Sequence, residues 1–172
     1  MMQPGIFFKY AMNKILPILI FAVVPLSLFS QPCNEKDAVK NFTEAQEADD
    51  AEAAVLYEKA AEGFKCGRHY ENYLIAAYQS GAAYFNIGNM AKAQAILEQS
   101  IEDTKGITDS TSEVHMLIFH TLGEVYYSIK NPDRSVFYYK KAVSIMGGDD
   151  SEELAICLFN MGNSYEMLSM NS

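Results

Sequence analysis

From about residue 35 onward, apolar residues recur at steps of three and four, and no stretch sustains a period of two. That spacing lays one apolar stripe along a helix and leaves the other faces polar. It predicts helices at about 35–48, 51–65, 69–87, 90–105, 112–129, 132–146 and 151–168. The breaks carry the residues that stop and start helices. Asp49-Asp50 separates the first two, Gly67 ends the second, and Gly88-Asn89 makes a tight turn. Lys105-Gly106 closes the fourth, Asn131-Pro132-Asp133 opens the sixth with proline in the first turn, and Gly147-Gly148 ends it. Ser110 with Glu113, and Asp150 with Glu153, have capping-box spacing.

The helices repeat in pairs. Gly followed three residues later by Tyr occurs at Gly81/Tyr84, Gly123/Tyr126 and Gly162/Tyr165. After the first two, at one fixed offset, come Ala93, Leu97, Ser100 and then Ser135, Tyr139, Ala142. Ala53, Tyr57 and Ala60 match that second half in an earlier pair, whose first helix has Asn41 and Glu44 in place of Gly and Tyr. A mid-helix Gly costs about 1 kcal/mol relative to Ala, so it has to be offset by close helix packing. The small residues Ala93 and Ser135 are expected opposite Gly81 and Gly123. Tyr84, Tyr126, Tyr165, Leu97 and Tyr139 are expected to fill the space beside the crossing. The architecture expected is all-α: about three antiparallel hairpins (35–65, 69–105, 112–146) stacked as a solenoid, then one unpaired C-terminal helix (151–168).

These units resemble tetratricopeptide repeats, whose pattern runs W-x-x-L-G-x-x-Y, then A-x-x-x-F, then A. Here it reads Ala77-x-x-Ser80-Gly81-x-x-Tyr84, Phe119-x-x-Leu122-Gly123-x-x-Tyr126 and Leu158-x-x-Met161-Gly162-x-x-Tyr165. The Trp position holds Ala, Phe and Leu. The Gly-to-Gly steps are 42 and 39 residues, against about 34 in the family. Longer units of this kind look like those preceding signalling or protease domains in some large bacterial proteins.

The resemblance implies that the first helix of each unit lines a concave groove. By position that groove holds Ile75, Tyr78, Ala82, Phe85 and Asn86, then Leu117, His120, Glu124, Tyr127 and Ser128, then Ile156, Phe159, Asn163, Glu166 and Met167. Aromatic rings for stacking and amides for hydrogen bonds suit an extended peptide or a partner helix. None of these positions is Lys or Arg, so the lysine-rich carboxylate clamp of chaperone-binding relatives is absent.

The first thirty residues read differently. Lys9 and Lys14 precede an apolar run from Ile15 to Phe29, too short for a span and interrupted by Pro17 and Pro25. This has the form of a secretory signal peptide at 1–30, cleaved after Ser30, with an uncleaved anchor as the alternative. Cys33 follows Gln31 and Pro32 rather than the small residues of a lipoprotein signal. Cleavage removes two lysines and no acid, taking the net charge from −9 to −11. So acidic a chain repels phosphate backbones and anionic lipid, which argues against nucleic acid and, after cleavage, against membrane binding. The expected location is periplasmic or secreted. In an oxidising compartment Cys33, just before the first helix, and Cys66, at the end of the second, meet at one end of a hairpin and form a disulfide.

Candidate chemistry is sparse. His115 and His120 lie five residues apart, no HExxH occurs, and Gly147-Gly148 runs into Asp149-Asp150, which repels phosphate. The expectation is no catalytic site, no metal and no cofactor. The leading reading is an exported scaffold that binds a protein or peptide partner. Two alternatives stand beside it: the sensor segment of a larger signalling enzyme, such as a histidine kinase or protease, and a homodimer joined through the C-terminal helix.

Overall fold

A computed structural model describes residues 33–109, 112–147 and 151–170; the leader at 1–30 lies outside them. Among the described residues there are seven helices and no strand: α1 (Glu35–Ala45), α2 (Asp50–Cys66), α3 (Tyr70–Asn86), α4 (Met90–Thr104), α5 (Glu113–Ser128), α6 (Pro132–Met146) and α7 (Glu152–Met170). Each packs on the next in chain order. In addition α3 touches α5, and α5 touches α7. That pattern is a stack of hairpins in which successive first helices, α3, α5 and α7, lie side by side.

Local chemistry sets the helix ends. Asn34, Asp49, Asn89 and Asn131 each accept a hydrogen bond from a backbone N–H of the following first turn. α1 stops three residues earlier than its apolar pattern predicts, because residues 46–48 tighten into bonds to the third residue back. Ser110 and Asp150 lie outside the described residues. The start of α7 is instead capped by Ser151, whose Oγ accepts from the Leu154 N–H at 3.1 Å. Gly67 caps α2, yet the left-handed residue there is Arg68, at φ 63°.

The glycines in the repeat meet large residues rather than small ones. A Cβ on Gly81 would lie 2.5 Å from Leu97 Cδ2, and one on Gly123 would lie 2.6 Å from Tyr139 Cε1. The notch is therefore filled by the big side chain of the second helix. Ala93 packs beside it with Ala54, Tyr84 and Val125. Ser135 donates to the Gly123 carbonyl at 2.8 Å. At Gly162 a Cβ would meet nothing within 4 Å. Tyr84 and Tyr126 are buried, whereas Tyr165 is 43% exposed.

The repeat tyrosines also fasten hairpin to hairpin. Tyr84 donates to Glu58 at 2.8 Å, and Tyr126 donates to Glu98 at 2.6 Å. Lys92 sits over the Tyr84 ring and Arg134 over the Tyr126 ring. At the third junction the glutamate's place is taken by Lys140, which lies 5.5 Å from the Tyr165 ring centroid. The first hairpin is closed by a Cys33–Cys66 disulfide, with Cα atoms 5.4 Å apart. Cys157 is a free, buried thiol in the core between α6 and α7.

Candidate functional site

Aligning the units by their glycine position puts Phe42, Ala82, Glu124 and Asn163 in one column, one residue per first helix. Two cavities open beside that column. The N-terminal one, of about 360 Å³, is lined by Val39, Phe42, Thr43, Phe64, Asn72 and Ile75. The C-terminal one, of about 140 Å³, is lined by Phe85, Glu124, Tyr127, Ser128, Tyr139, Asn160 and Asn163. The first is apolar with two polar groups at its edge. The second is more polar, with three aromatic rings from three different helices.

Of the fifteen side chains the repeat pattern assigns to the groove, the structure gathers Phe85, Glu124, Tyr127, Ser128 and Asn163 around the smaller cavity. Ala82 is half-buried in the same column as Glu124. Tyr78 turns inward and packs against the central core with Leu74, Leu97 and Leu122. His120 is half-buried, its ring centroid 5.6 Å from that of Tyr139. Asn86 is exposed at the end of α3, and Phe159 is 69% exposed on α7; neither lines a cavity. Repeat position alone misses Asn160 and Tyr139 in the smaller cavity, and all of the larger cavity except Ile75. Tyr139 was hidden by its packing role. Val39 and Phe42 were hidden because α1 lacks the Gly and Tyr that mark the unit.

The electrostatics of the smaller cavity are unusual for so acidic a chain. Glu124 keeps 31% of its side chain exposed, and burial of the rest pushes its carboxyl above the usual range. Its nearest basic atom is His120 Nδ1 at 3.7 Å, too long for a hydrogen bond. Burial also holds His120 below the usual imidazole range. His120 Nε2 has no hydrogen-bond partner among the described residues. Burial, then the charge of Glu124, raises Tyr78. Burial pushes the Cys157 thiol up to about 11, with Glu124 adding to it. A different cavity, between α2, α3 and α4, contains Glu58, Lys65 and Lys92, but there Lys92 pairs with Glu58 and Lys65 with Asp103.

Among the described residues, no three His, Cys, Asp or Glu side chains gather as a metal site would need. No helix among them is long and apolar enough to cross a membrane.

Residues 73–147, most of α3 and all of α4, α5 and α6, match the tetratricopeptide repeat family. Over those residues the chain is similar to tetratricopeptide repeats. The match begins inside α3 and ends just after α6, so the disulfide-closed hairpin and α7 lie beyond it. The crystal structure of BtubC (BKLC) from P. vanneervenii is similar, with a TM-score of 0.66 and 18% identity, over 77% of this chain and 56% of that one. This chain thus spans little more than half of that one, and at such identity the likeness is one of fold. No curated protein matches. Tetratricopeptide repeats are protein–protein interaction modules, and a stack of this kind offers an extended binding surface.

Proposed function

We propose that this protein binds an extended segment of a partner protein along the face built by α1, α3, α5 and α7. One observation carries the reading: the column from Phe42 through Ala82 and Glu124 to Asn163 is flanked by an apolar cavity at one end and a polar one at the other. An extended peptide presents side chains at intervals to such a row of sockets, while amides such as Asn72, Asn160 and Asn163 hold its backbone. The test is selection from a displayed random peptide library, followed by mapping the selected peptides by amide chemical-shift changes. Shifts along Phe42, Ile75, Phe85, Ser128 and Asn163 are expected. A footprint confined to α2, α4 and α6 overturns the reading.

Export belongs to the same proposal. The Cys33–Cys66 bond supports it, since disulfides persist in oxidising compartments. Fractionating cells that express the full chain, with mass measurement of the N-terminus, tests it; a cytoplasmic chain with its leader intact rejects it. A second reading, pairing of two copies through α7, is favoured by the empty notch at Gly162 beside exposed Leu158 and Tyr165. Light scattering across a concentration series separates it from a monomer.

A further inference from the structure

We infer that the cavity between α3, α5 and α7 receives the basic side chain of a bound peptide, with Glu124 as its counter-charge. The inference rests on the groove reading and names the chemistry of its ligand. At about 140 Å³ the space is well below the roughly 300–1,000 Å³ of small-molecule pockets. It is sized for one side chain. Its lining contains a single ionisable acid, Glu124, and no Lys, Arg or His. Elsewhere in the repeats the acids facing inward are answered: Glu58 by Lys92 and Tyr84, Glu98 by Tyr126, Tyr138 and Gln94, Asp103 by Lys65 and Tyr73. Glu124 has only the His120 imidazole, 3.7 Å away and too far for a hydrogen bond.

The rest of the lining fits a cation. Ser128 Oγ and the Asn163 and Asn160 amide oxygens are acceptors around the carboxylate. Asn160 also hydrogen-bonds Tyr139 through its side chain, which fixes its orientation. Phe85 and Tyr127 add aromatic rings to the lining, and Lys130 places its ammonium 5.5 Å from the Tyr127 centroid. A basic side chain entering from the groove meets a carboxylate and rings, while its alkyl stem lies against Phe85. An acidic side chain meets Glu124 and is repelled.

The test uses the full chain, isotope-labelled, titrated with N-acetyl-lysine-methylamide and, separately, with its uncharged analogue N-acetyl-norleucine-methylamide. The expected result is saturable movement of the Ser128, Asn160 and Asn163 signals with the lysine compound. Binding of the norleucine compound should be weaker by roughly tenfold or more, the ratio a charge-assisted hydrogen bond provides. Glu124→Gln, nearly isosteric, should reduce the lysine affinity to the norleucine level while the rest of the spectrum stays in place. Equal binding of the two compounds overturns the counter-charge and leaves an apolar socket. Absence of shifts at these residues with either compound overturns the site itself. Neither result touches the peptide-library footprint, which stands or falls separately.

Discussion

Two glutamates with opposite environments show what single residues do here. Burial opposes the charge on Glu98, but hydrogen bonds from Tyr126, Gln94 and Tyr138, with the charge of Arg134, outweigh it and hold the carboxyl below its usual range. Its stabilising contribution is therefore present above the unfolded pKa, about 4.3, and is lost as pH falls through the lower folded value. Glu124 has no such donors, and burial alone raises it. Its ionisation weakens the fold as pH rises through that raised value. Denaturation midpoints measured from acid to neutral pH should separate the two. Glu98→Gln lowers the midpoint at neutral pH and flattens the acid limb. Glu124→Gln raises the midpoint at neutral pH and leaves it nearly unchanged in acid. If Glu124 serves as the proposed counter-charge, its cost to the empty protein fits the frequent conflict between function and stability.

Helix pairing shows how one motif position has different consequences in different units. Gly81→Ala and Gly123→Ala force a methyl into Leu97 and Tyr139, and each should destabilise by about 1–3 kcal/mol, the usual range for overpacking. Gly162→Ala meets open space and should stabilise by about 1 kcal/mol through helix propensity. Urea unfolding of the three variants checks both signs. Arg68→Gly should also stabilise, by about 0.5–1 kcal/mol, because Arg68 holds a left-handed φ of 63°. The helices and their pairing were legible in the sequence because period and punctuation are local signals. The partner of each glycine was less so. Position shows that Gly81 must be small, but only the crossing geometry shows whether Ala93 or Leu97 fills the gap. The Tyr84–Glu58 and Tyr126–Glu98 links join the same repeat positions, 26 and 28 residues apart, and were readable in principle. Most of the smaller cavity was legible: Phe85, Glu124, Tyr127, Ser128 and Asn163 follow from repeat position. Asn160 and Tyr139 depend on how far α7 leans across α5 and α6, which no local pattern encodes.

Across the whole stack, each hairpin is held chiefly by its neighbours, so the ends are where stability is lowest. One end is fastened covalently. The Cys33–Cys66 bond spans a sequence separation of 33 residues, which in the chain-entropy model stabilises by about 3–4 kcal/mol. The other end, α7, exposes Leu158, Phe159 and Tyr165. Hydrogen exchange on the oxidised chain should show α7 opening first and α1–α2 protected. After reduction, or in Cys33→Ser, α1–α2 should exchange at rates approaching those of α7, while α5 stays slow. Unchanged protection of α1–α2 on reduction would mean that Phe42, Tyr57 and Phe64 alone hold that hairpin.

Tyr139 has one further consequence. Its ring fills the notch at Gly123, pinning α6 to α5, and the same ring forms the floor of the polar cavity. A guest in that cavity would rest on the bolt that locks the hairpin. Occupancy and rigidity would then be one event: a guest seated there would tighten the middle of the stack, and a loosened hairpin would lower its grip on the guest.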